Sequence, residues 1–119
     1  MFQTAGHEIA RRIALSLPEV VEGTSYRTPA FKVGDKLIAR FHQDGETLVL
    51  QMKEETREIW LMTRPEAFYL TEHYRNYDYI LVRLSVVGEQ ELEEVIRNAW
   101  REAVPKGLRE NGAGNFSGE

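Results

Sequence analysis

The sequence predicts an α+β fold, a two-layer sandwich with helices packed on one face of an antiparallel sheet. Three observations carry this. Between Thr28 and Lys53 the apolar residues Phe31, Val33, Leu37, Ala39 and Phe41 recur at every second position, with Lys32, Lys36 and Arg40 between them, the period of strands with one buried face. Turn signals at Gly34-Asp35-Lys36 and Asp44-Gly45 divide that stretch into three consecutive strands. On either side of it lie segments with the helical period. Three amphipathic helices and a one-faced sheet each need an apolar partner, and stacking helices on the apolar side of the sheet supplies it while leaving the other side open.

The elements follow in order. Ile9, Ile13 and Leu17 recur at four-residue spacing beside Ala10 and Ala14, which predicts a first helix over Thr4 to Leu17, stopped by Pro18. A short strand is expected at Gly23 to Tyr26. Pro29 suits the first residue of a strand or an edge strand. In the central stretch, a three-residue turn at Gly34-Asp35-Lys36 sets Val33 opposite Leu37, and the Asp44-Gly45 turn pairs Phe41 with Leu48, Ala39 with Leu50 and Leu37 with Met52. The far face then collects Lys32, Ile38, Arg40, Val49, Gln51 and Lys53.

A second helix is expected over Glu54 to Met62, with Ile59, Trp60 and Met62 on its apolar side and Glu54 and Glu55 at the positive end of its dipole. Phe68 to Leu70 reads as a brief strand and Thr71 to Asp78 as a loop. Tyr79 to Val86 alternates again, with Ile80, Val82, Leu84 and Val86 inward and Tyr79, Leu81 and Arg83 outward. Gly88 opens a last helix, Glu89 to Ala103, whose stripe Leu92, Val95, Ile96, Ala99, Trp100, Ala103 is the most regular in the chain; Glu93 supports Arg97 four residues on, and Pro105 ends the helix. Residues 1–108 form one domain, and the glycine-rich 109–119 is expected to be a flexible tail.

Composition bounds the function. A chain of 119 residues, 42% hydrophobic and 29% charged, can bury a core without staples. With no cysteine, thiolate metal sites, disulfides and cysteine nucleophiles are excluded. Neither a bilayer-spanning run nor a secretory signal is visible, so a cytoplasmic protein is expected. A net charge of −4 argues mildly against nonspecific nucleic-acid binding, although a local basic face can overcome it.

The chain resembles the MmcQ/YjbR family of small bacterial proteins. The likeness rests on Leu17-Pro18; Glu22 with Thr24-Ser25-Tyr26; Pro29-Ala30-Phe31-Lys32-Val33; Gly34-Asp35-Lys36-Leu37; His73-Tyr74 ahead of Tyr77-Asp78-Tyr79; and Ala99-Trp100 with Lys106. It covers roughly Ile9 to Leu108. The resemblance implies a frataxin-like (CyaY-like) sandwich and a family label of DNA-binding protein. Many relatives carry tryptophan where this chain has Tyr74 or Tyr79, which weakens any role that needs an indole.

Two candidate sites emerge. One is the basic outer face, Lys32, Arg40 and Lys53 with Lys36 at a turn and Arg83 on the later strand. It could hold phosphates of nucleic acid or a small anion, or be an ordinary solvated face; exposed Ile38, Val49 and Leu81 would instead favour a protein partner. The other is the loop His73 to Tyr79, where His73, Tyr74, Arg75 and Tyr77 could stack a base or planar ligand, or simply pin the loop to the sheet. His73, Glu22 and Lys106 are candidates for a small polar pocket.

Catalysis has little support. His7, His42 and His73 lack metal-ligand spacing, and no nucleophile elbow or phosphate-binding glycine loop is present. The acidic first-helix ridge that iron binding would need is missing, since that helix has only Glu8. The expectation is a non-enzymatic binding module with no cofactor and no metal. DNA is the leading partner, and a protein or small anionic ligand on the open face is the alternative.

Overall fold

A computed structural model describes residues 5–104. Its elements are α1 (Ala5–Leu15), β1 (Val20–Ser25), β2 (Thr28–Val33), β3 (Lys36–Phe41), β4 (Thr47–Gln51), α2 (Glu54–Thr63), β5 (Phe68–Tyr69), β6 (Tyr79–Arg83) and α3 (Glu89–Ala103). The six strands form one antiparallel sheet in the order β1-β2-β3-β4-β6-β5. This is the α+β two-layer sandwich expected from the sequence.

Helix α3 matches its expected bounds, and Leu92, Val95, Ile96, Ala99, Trp100 and Ala103 are all buried. They share one core with Ala10, Ile13, Ala14 and Leu17 at α1 and with Phe31, Phe41, Leu48, Leu50, Ile80 and Val82 from the sheet. Trp100 Nε1 donates to Pro18 O at 2.8 Å, tying α3 to the end of α1. At the start of α1, a Cβ on Gly6 would lie 2.8 Å from Leu84 O, so glycine lets the helix approach the end of β6.

Several local expectations change. The β2–β3 turn is the two-residue Gly34-Asp35, with Gly34 at φ 62°, and it pairs Val33 with Lys36. Parity would then be lost, and a β-bulge restores it: Lys32 pairs with Leu37, but Phe31 pairs with Ala39, so Ile38 is the extra residue. Ile38 is fully buried in the core beside Ala39, while Leu37 turns to the outer face, the reverse of the expected assignment. Phe41 pairs with Leu48 and Ala39 with Leu50 as expected. Leu37 and Met52 are not a pair; the Met52 amide instead donates to Asp78 O.

Strand β1 begins earlier than expected and pairs along its whole length with β2, so β2 is an inner strand. Pro29 is tolerated there because Ser25 and Thr28 flank a two-residue turn. Alternation then points the Pro29 nitrogen toward β3, whose pairing with β2 starts one residue later, at Ala30. On α2 the expected apolar side fails in part: Ile59 and Met62 are exposed, Trp60 packs on Phe68, and the buried residue is Arg57. Strand β6 stops at Arg83, leaving Val86 exposed. The expected tail, 109–119, lies outside the described residues.

The bulge makes a sharp prediction. Ile38→Ala should cost about 2–4 kcal/mol in denaturant unfolding, whereas Leu37→Ala should cost less than about 1 kcal/mol. The opposite ranking would mean that β3 runs without the extra residue.

Candidate functional site

Arg40 organises the outer face. Its place in β3, opposite Ala30 and Val49, points it away from the helices. Yet it is only 7% exposed, because the β1–β2 turn and residues 71–78 fold over it. Its Nη2 donates to Tyr74 Oη at 2.8 Å, its Nη1 reaches Phe41 O at 3.4 Å, and its guanidinium lies 4.9 Å from the Tyr26 ring centroid. Among the described residues it makes no ion pair. A shielded cation with only neutral partners is costly, since buried charges ordinarily carry a counter-charge.

Beside it opens a cleft of about 670 Å³ lined by Tyr26, Leu37, Arg40, His42, Gln43, Val49, Thr71, His73, Tyr74, Tyr77 and Tyr79. Among the described residues no acidic one lines it. Its floor is apolar, its walls are aromatic, and Arg40 is the one permanent cation among the described residues that line it.

Each wall has a local cause. Tyr26 and Arg27 form the β1–β2 turn with φ of 53° and 67°, the left-handed pair such a turn requires, at residues that carry a Cβ. That backbone holds the exposed Tyr26 ring over Arg40, and Gln43 Nε2 donates to Tyr26 O at 3.1 Å. The opposite wall is held by Arg57 of α2. Nearly buried at 5% exposure, it donates from Nη1 to Tyr77 O (2.6 Å) and Tyr79 O (3.2 Å), and from Nη2 toward Arg75 O (3.4 Å). A short 3₁₀ turn, Glu72–Tyr74, begins the segment, and His73 meets Tyr74 edge-on at 4.7 Å. Burial, followed by the neighbouring Tyr74, pushes the Tyr79 phenol above its ordinary pKa, so it stays a protonated donor.

At the lower rim, His42 Nδ1 accepts the Asp44 backbone N–H at 3.1 Å, which places the ring proton on Nε2. Burial would raise the Asp44 carboxyl, but the N–H groups of Glu46 and Thr47 and the Thr47 hydroxyl outweigh it, and the net pKa is lowered. Under this rim His7 is buried against Phe41, ring centroids 4.4 Å apart. Burial, then the nearby Arg11 charge, lowers its pKa despite Asp44 and Glu8.

Of the residues singled out from sequence, Arg40, His73, Tyr74 and Tyr77 converge on the cleft. Lys32, Lys36, Lys53, Arg75 and Arg83 do not line it. Arg75 pairs with Glu72, Arg83 lies 4.0 Å over the Tyr69 ring, and Lys36 and Lys53 are exposed elsewhere. The expected open basic face is corrected at Arg40, which is covered, while Lys36, Lys53 and Arg83 stay exposed and Lys32 is half-buried. The expected apolar surface of Ile38, Val49 and Leu81 is corrected as well: all three are buried. Glu22 pairs with Arg11 and is not in the cleft, and Lys106 lies outside the described residues. Tyr26, Arg57 and His7 were not read as site residues. For Arg57, the only hint is a basic residue flanked by the exposed-looking Glu55 and Glu58.

Fold and site together define a small α+β sandwich whose outer sheet face carries an arginine-centred aromatic cleft. A family model described as YjbR matches residues 15–102, and the chain belongs to that family. Uncharacterized proteins of Mycobacterium bovis and Mycobacterium tuberculosis are 31% identical over 65 residues, 54% of this chain and 50% of theirs. The chain thus spans about half the length of these curated relatives. The crystal structure of Deinococcus radiodurans protein DR2400, whose domain is named DUF419, superposes with a TM-score of 0.70 at 22% identity. The match covers 98% of this chain and 89% of that one, which shows the shared fold. Among the described residues no helix is long and apolar enough to cross a membrane.

Two predictions follow from this geometry. Arg57→Ala should speed amide hydrogen exchange through residues 71–79 by at least about tenfold while leaving α3 protected; uniform loss of protection would mean that Arg57 supports the core, not the segment. For His7, a folded pKa below the ordinary 6.5 means that the unfolded chain takes up the proton first as pH falls, so stability held above that value is lost on acidification. Between about pH 7.5 and about pH 5.5 wild type should lose more stability than His7→Gln, and equal losses would contradict the assignment.

Proposed function

We propose that the protein is a non-enzymatic binding module whose site is the Arg40 cleft, and that its ligand is a small anionic molecule. The observation that carries this reading is the shielded Arg40 guanidinium, which among the described residues has no carboxylate partner and borders a cleft lined by none that is acidic. An incoming anion supplies the missing counter-charge through charge-assisted hydrogen bonds. The cleft also falls within the usual size of small-ligand sites, roughly 300–1,000 Å³. The Asp44 carboxylate lies 3.6 Å from His42 Nδ1, but that nitrogen accepts the Asp44 backbone N–H, so the pair lacks the ring-N–H-to-carboxylate bond that orients an imidazole for proton transfer, which supports a non-catalytic role.

One observation favours nucleic acid as a second reading. Tyr26 and Tyr77 stand 72% and 58% exposed at the cleft, where bases of a single strand could stack. The scattered placement of the lysines supports it less well, because strand binding draws on cations that track a backbone.

The test is amide chemical-shift mapping with acetate, benzoate, sulfate and phosphate, alongside single-stranded and duplex DNA at about 50 and about 200 mM salt. The small-anion reading expects shifts centred on Tyr26, Arg40 and Tyr74 that disappear in Arg40→Gln. Silence toward every small anion, with salt-sensitive binding of DNA, would replace it by the second reading.

A further inference from the structure

We propose that the cleft selects an aromatic carboxylate, a flat ring bearing a single carboxylate group. This inference rests on the small-anion reading above and narrows it.

Charge sets the first limit. Among the described residues Arg40 is the only lysine or arginine lining the cleft, and Lys32, Lys36, Lys53, Arg75 and Arg83 all lie outside it. One fixed cation balances one negative charge. A phosphate monoester near neutral pH carries close to two, and the second would enter a partly shielded site without a matching cation.

Hydrogen bonding sets the second. Arg40 spends one N–H on Tyr74 Oη and one, at long range, on Phe41 O, and its remaining N–H groups are left for a ligand. Tyr74 Oη, having accepted from Arg40, still has its own proton to give. A guanidinium edge with a phenol donor beside it matches the two oxygens of a carboxylate in one plane.

The ring requirement comes from the walls. Among the described residues five aromatic side chains border the cleft besides His42: Tyr26, His73, Tyr74, Tyr77 and Tyr79. Tyr74 is engaged edge-on with both His73 (4.7 Å) and Tyr79 (5.9 Å). Tyr26 and Tyr77 are the most exposed of the four tyrosines, so their ring surfaces are available to a guest. With Leu37 and Val49 below, the cleft offers an apolar slot that an aliphatic anion such as acetate would leave unfilled.

The inference is tested by calorimetric titration of the full chain with benzoate, benzamide, acetate, inorganic phosphate and adenosine monophosphate. Wild type is compared with Arg40→Gln and with Tyr26→Ala, a substitution at an exposed turn. Benzoate should bind at least about tenfold more tightly than acetate, benzamide or phosphate, with the preference over benzamide lost in Arg40→Gln and the preference over acetate reduced in Tyr26→Ala. Acetate or phosphate binding as tightly as benzoate would overturn the ring requirement and leave the small-anion reading standing. Adenosine monophosphate binding about tenfold more tightly than benzoate would overturn the carboxylate in favour of a phosphate ester. Benzamide matching benzoate, or no heat with any anion, would overturn both this inference and the reading it rests on.

Discussion

A charged guanidinium shielded from water without a carboxylate is the constraint on which the outer half of this protein depends. Among the described residues there are two such groups, and the fold treats them differently. Arg57 gives both terminal nitrogens to the backbone carbonyls of residues 75, 77 and 79 and leaves only its buried Nε without a partner, so most of its charge is spread over fixed dipoles and it holds a segment in place. Arg40 has a phenol, one distant carbonyl and a ring face. That is enough to orient it and too little to neutralise it. The difference separates a structural arginine from one whose charge is still to be satisfied.

Two backbone irregularities make this arrangement possible. The bulge at Ile38 sends that side chain into the core and turns Leu37 outward, which gives the cleft an apolar floor without a gap beneath the sheet. The Tyr26-Arg27 turn adopts left-handed dihedrals that favour glycine or asparagine, at an energetic cost to the fold. In return a tyrosine ring stands over the cation. The Asp44 loop and the Arg57 latch then fix the two remaining sides, so the cleft is assembled from three connections and one helix, all anchored on a regular sheet.

The layer architecture was legible because it depends on period alone. The stripe of α3 and the alternation of β4 and β6 follow from side-chain direction, and the register of β3 with β4 survived even though its connecting loop is longer than the Asp44-Gly45 signal implied. Period fails where one residue is added. Nothing in Lys36-Leu37-Ile38-Ala39 tells which of two adjacent aliphatic residues enters the core, since the bulge depends on the turn chosen two residues earlier. The site was half legible for a related reason. Arg40 and the tyrosine-rich loop stood out by residue type. Their convergence, the covering of Arg40 and the part played by Arg57 depend on contacts between residues 14 or more positions apart, which a local pattern does not record.

The proposed binding role requires that Arg40 be retained at a cost to stability. The most direct measurement is the unfolding free energy of Arg40→Met against wild type, both without ligand, by urea denaturation. Removing an uncompensated buried charge while keeping an apolar chain of similar length should leave stability unchanged or raise it by about 1–2 kcal/mol. A loss of about 2 kcal/mol or more would mean that the guanidinium is already satisfied by the protein. Arg40 would then be a structural residue, and the cleft would lose the feature that marks it as a binding site.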